Sequence, residues 1–165
     1  VDLLMMGRPE GPGCYCYANA LLRDHIGRLS RSYQYIVMDN EAGMEHLSRR
    51  TTRKADILLI VTDHSQVGLR SAFRIYDVAK ELKLEIKKAG IIVNRVRGEV
   101  SPLILEEIQK KGLPFFGSIA YDEKIEEADL KGTSVLSLPE DSPAVEAVDS
   151  LMSFLFKKEE QASNL

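Results

Sequence analysis

The chain has 165 residues, 44% hydrophobic and 28% charged, with a formal charge of −3 and only two cysteines. Length and composition fit one domain with a sizeable core, and the lack of a basic excess argues against nucleic-acid binding. No run is long and apolar enough to span a bilayer, no signal peptide is present, and two cysteines so close together make no disulfide framework, so a cytoplasmic protein without stable membrane association is expected.

The chain opens on Val1-Asp2-Leu3-Leu4-Met5-Met6-Gly7, without an initiator Met, which reads as a buried strand from Asp2 to Met6 already under way. The chain is therefore expected to be the later part of a longer protein. Next comes Gly-Pro-Gly-Cys14-Tyr15-Cys16-Tyr. An i, i+2 cysteine pair makes a strained disulfide. In an extended segment both sulfurs point the same way and can face one ion, but two thiolates leave a tetrahedral site half filled. A second copy of the chain could complete it across a two-fold axis. The same spacing also suits two small residues buried near a turn.

A helix from Asn19, its N-cap, to Leu29 leads to an apolar strand from Tyr35 to Asp39 that ends in a carboxylate and is followed by Asn40-Glu41-Ala42-Gly43. Further strands are expected at Ile57 to Thr62, Gly90 to Asn94, Phe116 to Ala120 and, briefly, Ser134 to Leu138. Between them, a helix from Leu69 to Leu82 carries Ala72, Ile75, Ala79 and Leu82 on one stripe. Ser101-Pro102 starts another and Gly112 stops it; Asp122 caps the next; Ser142-Pro143 starts the last, with Val145, Val148, Met152 and Leu155 along one face. Phe154, Leu155, Phe156, Lys157 and Lys158 would also suit a membrane surface, but Glu159 and Glu160 follow at once and packing explains the same stripe. The alternation predicts a three-layer α/β domain over 1–156, a mostly parallel sheet with helices on both faces, and a polar tail over 157–165.

In such sheets ligands bind beyond the carboxyl ends of the strands. Asp39 there can hold Mg²⁺ directly or through water, and Gly43 lets a main-chain N–H approach a phosphate. Asn94 offers one acceptor and two donors to the edge of a purine base. Asp63 to Gly68 and Tyr121-Asp122-Glu123 share that edge. Each signal also has a plain reading as a turn after a strand. His25, His46 and His64 have no zinc-ligand spacing with the cysteines, and Arg49, Arg50, Arg53 and Lys54 read as a solvated helix face.

Met38-Asp39-Asn40-Glu41-Ala42-Gly43-Met44-Glu45-His46, Ala55-Asp56, Ile92-Val93-Asn94-Arg95 and Gly117-Ser118-Ile119-Ala120-Tyr121-Asp122 together resemble the deviant Walker-A P-loop ATPases of the MinD type. With Cys14-Tyr15-Cys16 the chain resembles the CooC-type accessory ATPases for nickel insertion into carbon monoxide dehydrogenase. The resemblance implies ATP or ADP with Mg²⁺, Asp39 touching Mg²⁺ through water, and Gly43 at the γ-phosphate. It further implies a base site of Asn94, Arg95, Tyr121 and Asp122. Cys14 and Cys16 of two subunits would share Ni²⁺ or Zn²⁺ in a homodimer, with nickel-dependent carbon monoxide dehydrogenase as client. The first strand leads straight into the cysteine segment, and a helix N-terminus lowers thiol pKa, so nucleotide-driven closure could alter metal affinity. Two departures stand out. The Gly- and Lys-rich P-loop is absent, so this chain alone should bind nucleotide poorly and not hydrolyse it. Ala120 stands where relatives commonly carry proline. Other readings are a MinD/ParA-type positioning or partitioning ATPase with incidental cysteines, an iron–sulfur scaffold ATPase, and a regulator without a P-loop.

Overall fold

Apolar runs in this chain become strands where a neighbouring strand completes their hydrogen bonds. The computed structural model describes residues 2–4, 16–29, 31–40 and 54–160, with main chain alone at 16–20, 22, 23 and 157–160. In chain order the elements are α1 (Cys16–Leu29), β1 (Lys54–Thr62), α2 (Gln66–Glu81), β2 (Glu85–Val96), α3 (Pro102–Lys111), β3 (Phe115–Ala120), α4 (Glu123–Lys131), a 3₁₀ turn (Val135–Ser137) and α5 (Pro143–Glu160). They fall into two compact units, one of Val1–Ala55 with Asp77–Glu85, the other of Asp56–Tyr76 with Ile86–Leu165.

The first unit holds α1, residues 31–40 and the last turn of α2. Helix α1 is already under way at Cys16, so Asn19 lies inside it and not at its cap; no breaker separates the two. The strands expected over residues 2–6 and 35–39 do not form where the chain is described. Residues 2–4 and 35–39 are in no strand, and Val37 is 92% exposed. An apolar run is a strand only when its N–H and C=O groups meet a partner ladder, and none of the described strands pairs with these residues.

The second unit is built on a sheet of order β1-β2-β3, in which β2 and β3 run parallel. Residues 54–56 and 85–89 extend β1 and β2 beyond the purely apolar runs, and Asp56 and Lys87 meet there at 2.7 Å. Strand β2 is buried on both faces. Ile91 and Val93 look toward α2 and α3, forming a core with Ile60, Leu69, Ala72, Ile104, Ile108 and Leu113. On the opposite face Ile92 pairs with Gly117 of β3. A Cβ at Gly117 would lie 2.7 Å from Leu151 Cδ2, so α5 packs directly on this strand. Helices therefore cover both faces of a parallel α/β sheet, as the sequence predicts.

Helix ends follow their local chemistry. Pro102 opens α3, although Ser101 makes no side-chain cap, and Gly112 closes it in the left-handed region at φ 72°. The stripe predicted for α5 is rotated. Ala144, Leu151 and Leu155 are buried, whereas Val148 and Met152 are partly exposed, because the face that meets Gly117 is the one carrying Leu151. Residues 134–138 form the 3₁₀ turn and not a strand, since Ser134 Oγ accepts from Leu136 N at 3.2 Å and Leu136 stays exposed. Gly90 is needed for packing: a Cβ there would stand 2.5 Å from the Phe116 ring. Gly90→Ala is expected to cost about 1–3 kcal/mol through overpacking, read by denaturant unfolding, and an unchanged midpoint would refute that contact.

Candidate functional site

The carboxyl ends of the three strands carry a connected set of polar groups, all within the second unit. At the end of β1, Asp63 Oδ1 accepts from Ser65 N at 2.9 Å and from Ser65 Oγ at 2.6 Å. Ser65 Oγ in turn accepts from Gly68 N at 2.9 Å, which makes Ser65 the N-cap of α2. A Cβ at Gly68 would lie 2.3 Å from Asp63 Oδ1, so a side chain there would push the Asp63 carboxylate aside. The Ser65 hydroxyl and N–H hold the Asp63 carboxyl below its usual range, with smaller help from the charges of His64 and Arg95. Asp63 therefore stays anionic and within electrostatic reach of Arg95 at the end of β2.

Asn94 and Arg95 stand in a break of the ladder. The register runs Val93↔Ser118 and then Val96↔Ala120, so β2 carries one more residue than β3 over this stretch. This is a β-bulge, a device that re-aims side chains at the rim of a sheet. Arg95 takes up the turn with φ 59°, a conformation costly for a residue with a Cβ. Asn94 Oδ1 accepts from Arg95 N at 2.9 Å. At this bulge the Asn94 side chain is half-buried, and its two N–H donors are not taken up by any of the described residues.

The end of β3 is tied to the same place. Tyr121 N donates to Val96 O at 2.9 Å. Its hydroxyl donates to Glu126, which pushes the phenol pKa up, and the Arg97 guanidinium lies 3.7 Å over its ring. Asp122 is buried and accepts from Lys124 N at 2.9 Å, capping α4 as expected. Its other oxygen accepts from the fully buried Ser142 Oγ at 2.5 Å. Ser142 Oγ accepts from Val145 N at 3.4 Å at the start of α5. One carboxylate therefore braces the first turns of two helices. Its pKa is lowered, chiefly by the Ser142 hydroxyl; burial opposes this, and the N–H groups of Lys124 and Ala144 add to it.

The predicted residues Asn94, Arg95, Tyr121 and Asp122 are brought together on this edge. Asp39 belongs to the first unit and is exposed. Cys16 begins α1, while Cys14 and Gly43 lie outside the described residues. Among the described residues no cluster of three or more His, Cys, Asp or Glu is arranged to hold a metal. Sequence reasoning missed Arg97 and the bridging role of Ser142. Arg97 is one more charge in a polar turn, and Ser142 reads fully as a helix cap; neither local pattern reveals a partner more than twenty residues away or nearly so.

The family model for the CobQ/CobB/MinD/ParA nucleotide-binding domain matches residues 23–135. The chain belongs to this family. An uncharacterized ATP-binding protein of Methanocaldococcus jannaschii is 41% identical over 157 residues, covering 95% of this chain and 62% of that protein. The carbon monoxide dehydrogenase accessory protein CooC of Rhodospirillum rubrum is 33% identical over 165 residues, covering 96% of this chain and 59% of that protein. The chain thus spans less than two thirds of the length of either relative. Among solved structures, the septum site-determining protein MinD of Pyrococcus horikoshii complexed with Mg-ADP is similar in fold, with a TM-score of 0.64 and 23% identity over 86% of this chain and 58% of that one.

Proposed function

We propose that this chain forms the base-binding part of an ATP-hydrolysing MinD/ParA-type protein that delivers nickel for maturation of carbon monoxide dehydrogenase. The observation that carries the nucleotide reading is the β2 bulge, which puts Asn94 and Arg95 at a break in the ladder next to the anchored Tyr121-Asp122 turn. Asn94 donates to and accepts from the edge of the adenine, and Arg95, Tyr121 and Asp122 complete that side of the site. Asp39 is the acid that holds Mg²⁺ through water, a role suited to an exposed carboxylate, and the Gly43 N–H meets the γ-phosphate. No Gly-Lys-rich loop occurs in these 165 residues, so the chain by itself binds nucleotide weakly and does not turn it over.

The nickel reading rests on Cys14-Tyr15-Cys16 and on the similarity to CooC. Nickel is cargo, held by the two cysteines of each of two subunits in a cytoplasmic homodimer and released to the client enzyme as the dimer opens. Asn94→Ala in the full-length protein is expected to weaken Mg-ATP binding about tenfold, the loss of one or two hydrogen bonds, measured by isothermal titration. An unchanged affinity would sink the base-site assignment. Turnover stimulated by lipid or DNA in a metal-free protein would favour a positioning or partitioning ATPase instead.

A further inference from the structure

Arg97 is not among the residues assigned above to base recognition, yet its guanidinium lies directly over the Tyr121 ring. Its guanidinium carbon stands 3.7 Å from the centre of the Tyr121 ring, the spacing of two planar groups in van der Waals contact. The ring beneath it is held at separate points. Tyr121 N is bonded to Val96 O at 2.9 Å, its hydroxyl donates to Glu126, and Asp122 next to it is anchored by Lys124 N and Ser142 Oγ. A guanidinium lying on a fixed ring loses much of its own freedom, so it is presented as a plate and not as a loose charge. Arg97 is itself exposed, and it follows Asn94 by three residues, just past the bulge.

Resting on the nucleotide reading above, we propose that Arg97, backed by Tyr121, is the stacking surface for the purine base and hence a further base-binding residue of this site, one that sets affinity for the nucleotide over a bare phosphate chain. Asn94 reads the edge of the base, and the Arg97–Tyr121 pair takes up its face. The two contacts divide the work: hydrogen bonds select the purine, and planar stacking supplies affinity that any base-free phosphate lacks. Lysine at this position would keep the charge and lose the plane.

The test is isothermal titration of the full-length protein with two probes, Mg-ATP and inorganic tripolyphosphate with Mg²⁺, on wild type, Arg97→Ala and Arg97→Lys. Both variants are expected to bind Mg-ATP about tenfold more weakly and to bind tripolyphosphate as wild type does. Equal weakening toward both probes would make Arg97 a phosphate-steering charge and overturn the proposal, as would full Mg-ATP affinity in Arg97→Lys or in Arg97→Ala. A wild-type protein that binds tripolyphosphate but gains nothing from the base overturns base recognition at this edge altogether. One that binds neither probe overturns the nucleotide reading, and the stacking role falls with it.

Discussion

Ser142→Ala is expected to lower stability by about 2–3 kcal/mol, a fall in Tm of about 5–10 °C for a chain of this size. The hydroxyl it removes is fully buried and serves two helices. It donates to Asp122 at 2.5 Å and accepts from Val145 N at the first turn of α5. Alanine would strip α5 of its cap and leave a buried carboxylate short of its strongest donor. The effect carries a pH signature. The Asp122 carboxyl is held below its ordinary value of about 3.9, first of all by this hydroxyl. A depressed folded pKa contributes stability that is fully present above the ordinary value and is lost as pH falls through the folded one. The gap between wild type and Ser142→Ala should therefore be constant from neutral pH to about pH 5 and narrow below about pH 4. Thermal unfolding over that range reads both features; a variant as stable as wild type, or a gap that widens in acid, would refute the brace.

The second large effect concerns the proposed cargo. Full-length protein loaded with Ni²⁺ should hold about one ion per two chains, because each copy offers two thiolates to a site that needs four donors. Cys16→Ser should abolish this, since a serine hydroxyl does not ionise near neutral pH and is a poor ligand for a soft site. Metal content should also fall as pH is lowered, because protons compete for the thiolates. Elemental analysis with mass determination measures all three. Stoichiometry untouched by Cys16→Ser would remove the cysteines from the nickel reading while leaving the base site, tested through Asn94 and Arg97, standing on its own.

Much of the second unit was legible residue by residue. Ile91-Ile92-Val93 is too uniformly apolar for a strand with one wet face, and it is buried on both. Pro102, Gly112 and Asp122 mark helix boundaries that the structure repeats. Residues 2–4 and 35–39 were misjudged for the opposite reason: apolar patterning says that a segment can pair, not that a partner is at hand. The α5 stripe went astray by a rotation of the helix, because side chains spaced three or four apart describe a face only roughly, and contact with Gly117 chose which part of it turned inward.

By itself the sequence determined the alternation of strand and helix, the parallel sheet it implies, and the polar residues that stand at strand ends, since each follows from local periodicity and capping. Only the tertiary structure decided that Asn94 and Arg95 sit in a bulge, that Arg97 covers Tyr121, and that Ser142 ties Asp122 to a second helix. Those features depend on the register between β2 and β3 and on contacts between residues about 20 or more positions apart, to which local periodicity and capping are blind.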